Sequence, residues 1–150
     1  MSLLHGQIDE GGPVVDLFVA VSKARAAALI RNGLPVPEPV LVRALIDTGA
    51  TLTTIPPEVF SRLEIPPVGE IPLYTPSAQP GVPQICDSYH VGLSIVVNGA
   101  ARRFPDCLVV AAECWHETET VTALLGRDIL RHCNFLYRGP DRAFSLGLQH

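Results

Sequence analysis

Charge is scarce in this sequence. Asp, Glu, Lys and Arg together make up 17% of its 150 residues. The eleven Lys and Arg are scattered, and the net charge is −4. With no basic run to follow a phosphate backbone, nucleic-acid binding is not expected. Long apolar runs are missing too. Stretches such as Ile95-Val96-Val97 fall far short of the ~20 residues that span a bilayer, so no membrane partner is expected. Met1 to Gly12 has no charged n-region followed by an apolar h-region, so no secretory leader is read and a cytoplasmic location is expected. Cys86, Cys107, Cys114 and Cys133 form no CxxC pair, and in a reducing compartment they read as small buried hydrophobes. There is no internal repeat, low-complexity tract or linker. One domain over 13–150 is expected, preceded by a loose, polar, glycine-bearing segment over 1–12.

Apolar residues reach 47%, with 14 prolines and 12 glycines. That combination describes a well-buried chain of short, strand-rich elements joined by turns. Val15, Leu17, Val19 and Val21 alternate along a first strand. Ser22 then caps a helix from about Lys23 to Asn32, and Gly33 stands where a left-handed cap belongs. The connector Leu34 to Pro39 cannot stay helical. Val40 to Ile46 is a strand, Leu52 to Ile55 a short one, and Pro56-Pro57-Glu58 opens a helix carrying Val59, Phe60 and Leu63 inward. Ile71 to Thr75 is extended. Ile85 to Val97 has the clearest two-residue period, with Tyr89, Val91, Leu93, Ile95 and Val97 on one face. Asn98-Gly99 signals a hairpin. Further strands are expected at Cys107–Ala112, Val121–Leu125, Phe135–Tyr137 and Ala143–Leu148, with a short helix over 126–133.

The chemistry concentrates in Asp47-Thr48-Gly49-Ala50, which follows the apolar strand directly. A carboxylate that activates water needs a rigid mount beside a place where a peptide can approach. The strand supplies the mount. Gly49 leaves room for backbone, and the Thr48 hydroxyl can fix the loop. A second signal is Ala123-Leu124-Leu125-Gly126-Arg127-Asp128-Ile129-Leu130: apolar residues, a glycine, then a polar pair opening a short helix.

On these two motifs the chain resembles the retropepsin-like (clan AA) aspartic peptidases, in particular small bacterial members, from about Val14 to Leu146. The resemblance implies a mainly β fold, a closed, mostly antiparallel barrel with two or three short helices. It implies an aspartic endopeptidase acting as a homodimer on an extended peptide or protein substrate, without cofactor or metal. Asp47 would be catalytic, Thr48 would interlock with its mate across the two-fold axis, and Gly49 would contact substrate backbone, with Ala50 continuing the loop. Gly126 would pack beneath that loop, Arg127 would anchor the helix to nearby backbone or an acid, and Asp128 would support the helix start. Viral members often place an acid shortly after the Gly-Ala of the loop as a partner for the arginine. Here Thr51 and Leu52 stand there. The flap that covers the cleft in this family corresponds best to Tyr74, Thr75, Pro76, Ser77, Ala78, Gln79, Pro80 and Gly81, a proline-rich and therefore stiff tip. Asp87-Ser88-Tyr89 lacks the glycine of a second motif, so a carboxylate pair requires two subunits.

Plainer readings exist for each residue. An aspartate after a strand is also an ordinary turn residue. Asp128 reads as a carboxylate stabilising a helix start rather than a catalyst. Cys86 and His90, four apart along a strand, lie ~13 Å from one another, too far for a thiol–base pair. Cys114, His116, His132 and Cys133 match no zinc spacing. The Ala24–Ile30 helix reads as a packed surface element, and Trp115 and Tyr137 as core or interface aromatics. The rival from another class is a non-catalytic dimeric module of the same fold that binds a peptide by strand addition.

Overall fold

The computed structural model describes residues 2–74, 80–114 and 120–148. Of the candidate flap, Thr75 to Gln79 lie outside the described residues, as do Trp115 and His116. The elements run β1 (Ser2–Asp9), β2 (Gly12–Val21), α1 (Lys23–Arg31), β3 (Val40–Ile46), β4 (Thr54–Ile55), α2 (Pro57–Leu63) and β5 (Gly69–Leu73). They continue with β6 (Gln84–Val97), β7 (Ala100–Ala111), β8 (Val121–Leu125), α3 (Arg127–Leu130), β9 (Cys133–Arg138) and β10 (Ala143–Leu148).

Six strands close a ring in the order β2, β3, β8, β4, β7, β6, with β6 returning to β2. The fold is mainly β, a closed six-stranded barrel with three helices among the described residues. The ring is antiparallel except at β3–β8 and β4–β7, which are parallel. This agrees with the expectation of a closed, mostly antiparallel barrel. A parallel neighbour needs a long crossover. The chain from β3 to β8 provides one by passing through α2 and the β6–β7 hairpin before it comes back alongside β3. The parallel pairing sends β3 and β8 to the same end of the barrel, which brings the two sequence motifs together.

The core follows from the period of two. Val15, Leu17, Val19 and Val21 on β2 and Val91, Leu93, Ile95 and Val97 on β6 point inward and are buried. The Tyr89 ring stacks on Phe60 of α2 with centroids 3.8 Å apart. In α1, Ser22 accepts a hydrogen bond from the Arg25 N–H and Gly33 takes a positive φ of 66°, as the caps predict. Asn98 and Gly99 both have positive φ, the form that a two-residue hairpin requires.

Three differences have physical causes. The segment over 1–12 is not loose: Ser2 to Gln7 pair with β10, and Ile8 and Asp9 turn into β2. Leu4 is buried, and the Phe144 ring fills the space where a Cβ on Gly6 would be. The exposed Leu3 beside the buried Leu4 blurred this alternation, and the partner strand lies far away in the sequence. β7 starts at Ala100 rather than Cys107, because Arg102, Arg103, Pro105 and Asp106 obscure its pattern. Pro105 falls where the β6–β7 register shifts opposite Gly92, a bulge in which its missing N–H costs no ladder bond. The third helix is four residues long rather than spanning 126–133.

Candidate active site

The ladder between β3 and β8 runs one residue past β3, because the Asp47 N–H donates to Leu125 O at 3.0 Å. The chain then turns back, with the Ala50 N–H donating to Asp47 O at 3.2 Å. Within this turn the Gly49 N–H donates to Asp47 Oδ1 at 2.8 Å. The carboxylate is thus held by the backbone of its own loop. A Cβ on Gly49 would stand 3.1 Å from the same oxygen, so a side chain there would crowd it.

The second motif grips this loop from below. The Arg127 N–H donates to Ala50 O at 2.8 Å, and the Arg127 side chain donates from Nη1 to Thr48 O at 2.9 Å and from Nη2 to Thr51 Oγ1 at 3.2 Å. Position 51 therefore holds a hydroxyl, not an acid, that accepts from the arginine. Gly126 packs against the loop's exit: an added Cβ would lie 2.6 Å from the Leu52 carbonyl carbon and 2.9 Å from the Thr53 nitrogen. Only glycine fits.

Asp128 turns back towards the strand that leaves the loop. Its Oδ2 accepts from the Thr53 N–H at 3.0 Å, and its Oδ1 accepts from the Thr53 hydroxyl at 2.7 Å and from the Ile129 N–H at 2.9 Å. Thr53, fully buried, also accepts from the Gly126 N–H through Oγ1 at 3.1 Å. Sequence reasoning missed Thr53. No periodic signal singled it out, because Thr53, Thr54 and Ile55 are buried in succession.

Asp47 opens onto a cavity of about 540 Å³. Its walls are Gly49 to Leu52 and Thr54 on one side, Leu124 on another, and Ile71 to Tyr74 of β5 and its exit on the third. β5 pairs with the first half of β6, forming the hairpin arm whose tip carries the candidate flap. Tyr74, Pro80 and Gly81 are its described residues, and Tyr74 reaches the cavity. Among the described residues that line it, Asp47 is the one charged side chain. The apolar wall of Leu52, Ile71, Leu73 and Leu124 was also not read from the sequence, because it is assembled from four separate segments.

Thiol chemistry finds no support here. Cys86 is buried and His90 exposed on the unbroken β6, with burial and then Asp87 raising the thiol. Burial pushes Cys114 up to about 11, with the charges of Glu113 and Asp47 adding to it. Cys107 rises to about 11 through burial, Asp128 and Asp106. These thiols stay protonated at neutral pH and are poor nucleophiles. Among the described residues no group of three His, Cys, Asp or Glu could hold a metal ion, and no helix is long and apolar enough to cross a membrane.

Compared with known proteins, residues 24–129 match the family model described as aspartyl protease. No curated protein matches the chain. Among solved structures, a retropepsin-like aspartic protease from Rickettsia conorii superposes with a TM-score of 0.56 at 14% identity, over 97% of this chain and 89% of that one. This match speaks to the fold.

Proposed function

Since the chain belongs to the aspartyl protease family, we propose that it is an aspartic endopeptidase in which Asp47 and its mate from a second copy form the catalytic pair. The observation that carries this reading is the mounting of Asp47. Its carboxylate is fixed by the Gly49 N–H, sits at the end of a paired strand, and is the one charge among the described residues that line an apolar-walled cavity.

One carboxylate cannot perform the reaction alone. Hydrolysis by water needs a base to take a proton from the nucleophile and an acid to give one to the scissile carbonyl. Two carboxylates brought side by side share one proton, because like charges at that distance cannot both ionise. One then serves as base and the other as acid, and the pair titrates as a unit. Thr48 and Gly49 are exposed beside Asp47, as a loop meeting its two-fold mate requires. The substrate is an extended peptide or protein segment lying across both copies, its backbone close to Gly49 and covered by the hairpin arm.

The test is cleavage of unfolded protein by purified material. Asp47→Asn is expected to abolish cleavage with an unchanged circular dichroism spectrum and melting temperature. Retained cleavage by folded Asp47→Asn protein sinks the assignment. A wild-type protein that binds peptides without ever cutting them supports the non-catalytic module.

A further inference from the structure

We propose that residues 34–39 form a docking ligand: a stiff polyproline strap, far from Asp47, gripped by an aromatic-lined, acid-rimmed groove of a partner protein. Strands β2 and β3 are antiparallel neighbours whose pairing closes at Val19 and Val40. Such neighbours are usually joined by a loop of about 2–5 residues. Here residues 22–39 intervene, and the helix they contain buries no residue fully. The excursion adds little to the core, and long connections of this kind usually carry a function.

The shape of the strap follows from its sequence, Leu34-Pro35-Val36-Pro37-Glu38-Pro39. Each proline fixes its own φ, and each residue before a proline is kept out of the helical region. All six positions are thereby held extended, in the left-handed polyproline form that has no internal hydrogen bonds. α1 is the pedestal. The Leu34 N–H donates to Leu29 O at 2.9 Å, and Arg25 Nη2 donates to Glu64 O at 3.1 Å, which ties α1 to the end of α2. All strap residues but Pro37 are exposed, and Ile30 in the last turn of α1 is exposed too. Among the described residues no donor reaches the carbonyls of Pro35, Val36 or Pro37, so they are open to an indole N–H or a phenol. A groove of about 330 Å³ separates the strap from α2, with Pro35, Val36, Pro37, Arg62 and Glu64 among its walls, and it leaves room for an aromatic ring.

A strap that is already extended loses little freedom on binding, which is how aromatic grooves recognise polyproline segments. Charge adds the rim. The excursion carries Lys23, Arg25 and Arg31 against Glu38, in a chain of net charge −4, so acids around the partner's groove complement it. The seven residues of β3 put the strap about 20 Å from Asp47, at ~3.3 Å per residue. A partner held there leaves the cleft open, and the inference does not depend on the chemistry at Asp47.

Blocked tripeptides serve as probes of the groove chemistry: Glu-Trp-Glu, Lys-Trp-Lys and Glu-Leu-Glu, each titrated into the isotope-labelled full chain and followed by its amide NMR shifts. Glu-Trp-Glu is expected to saturate in the millimolar range, with shifts at Leu34, Val36, Glu38, Arg62 and Glu64. At low ionic strength it should bind about threefold or more tightly than either other peptide, and its lead over Lys-Trp-Lys should close in molar salt. Replacing both Pro35 and Pro37 by alanine frees the strap and should weaken binding by about threefold or more. Should that form not fold, Val36→Ser, which alters one exposed side chain of the groove, is expected to show the loss in its place. Strap amides that stay still with all three peptides overturn the inference. So does equal binding of the Trp and Leu peptides, or binding that these substitutions leave unchanged.

Discussion

Replacing Thr53 by valine exchanges one hydroxyl for a methyl of similar size, so no cavity opens. What is lost is hydrogen bonding. The hydroxyl donates to the charged Asp128 Oδ1 at 2.7 Å and accepts from the buried Gly126 N–H at 3.1 Å. A hydrogen bond to a charged group contributes about 1.5–3 kcal/mol, and an orphaned buried donor costs about 1–3 kcal/mol. Asp128 keeps the Thr53 and Ile129 N–H groups as donors, which puts the first figure at its lower end. The expected destabilisation is therefore about 2.5–4.5 kcal/mol, a large share of the ~5–15 kcal/mol typical of folded domains. Urea denaturation at fixed protein concentration should show a lower midpoint with an unchanged slope. Thr53→Ser keeps the hydroxyl and should lose only about 1 kcal/mol. A valine variant within ~0.5 kcal/mol of wild type, the level of ordinary surface substitutions, would refute the idea that this hydroxyl ties the two motifs together.

Gly126→Ala forces a Cβ against the Leu52 carbonyl, and a loss of about 3 kcal/mol or more is expected, read as a melting-temperature drop or insoluble expression. If the proposed pair forms between two copies, specific activity should fall on dilution as they separate. Proportional activity from a monomer, by mass measurement, would contradict the shared pair. Activity should fall on both sides of an optimum, since protonation of the second carboxylate removes the base and loss of the shared proton removes the acid. The bell should persist in His90→Gln and His132→Gln. With ordinary thiol values near 9 raised to about 11 at Cys107 and Cys114, the thiolate fraction at pH 8 drops by ~100-fold. Iodoacetamide labelling of these two residues should be slower by about that factor in the folded than in the denatured protein.

What could be read in advance was local. The hairpin at Asn98-Gly99, the caps of α1 and the alternation of β2 and β6 depend on neighbours a few residues away, and the structure has them where the pattern puts them. The Asp47 loop and the Gly126 turn were legible as motifs because the positions demand particular residues. Their joint grip was not, since Arg127 reaching Thr48 and Asp128 reaching Thr53 depend on the parallel pairing of β3 with β8. Pairing between distant segments leaves no trace in local periodicity. The same reason hid β1, whose inward residues Leu4 and Gly6 are matched only by Leu146 and Phe144, and the cavity wall built from Leu52, Ile71, Leu73 and Leu124.

The bonding of β1 to β10 also sets an order of events at the ribosome. Residues 2–7 emerge well over a hundred residues before their partners, residues 143–148. Until then the strand carries unpaired backbone groups and the apolar Leu4 without cover, a sticky edge in a crowded cell. The most distant pairing in the chain must wait for synthesis to pass residue 148, and contacts this far apart in sequence slow folding. A nascent chain stalled before residue 143 should therefore remain open to proteolysis near its N-terminal segment, whereas one carrying residues 2–148 clear of the tunnel should resist.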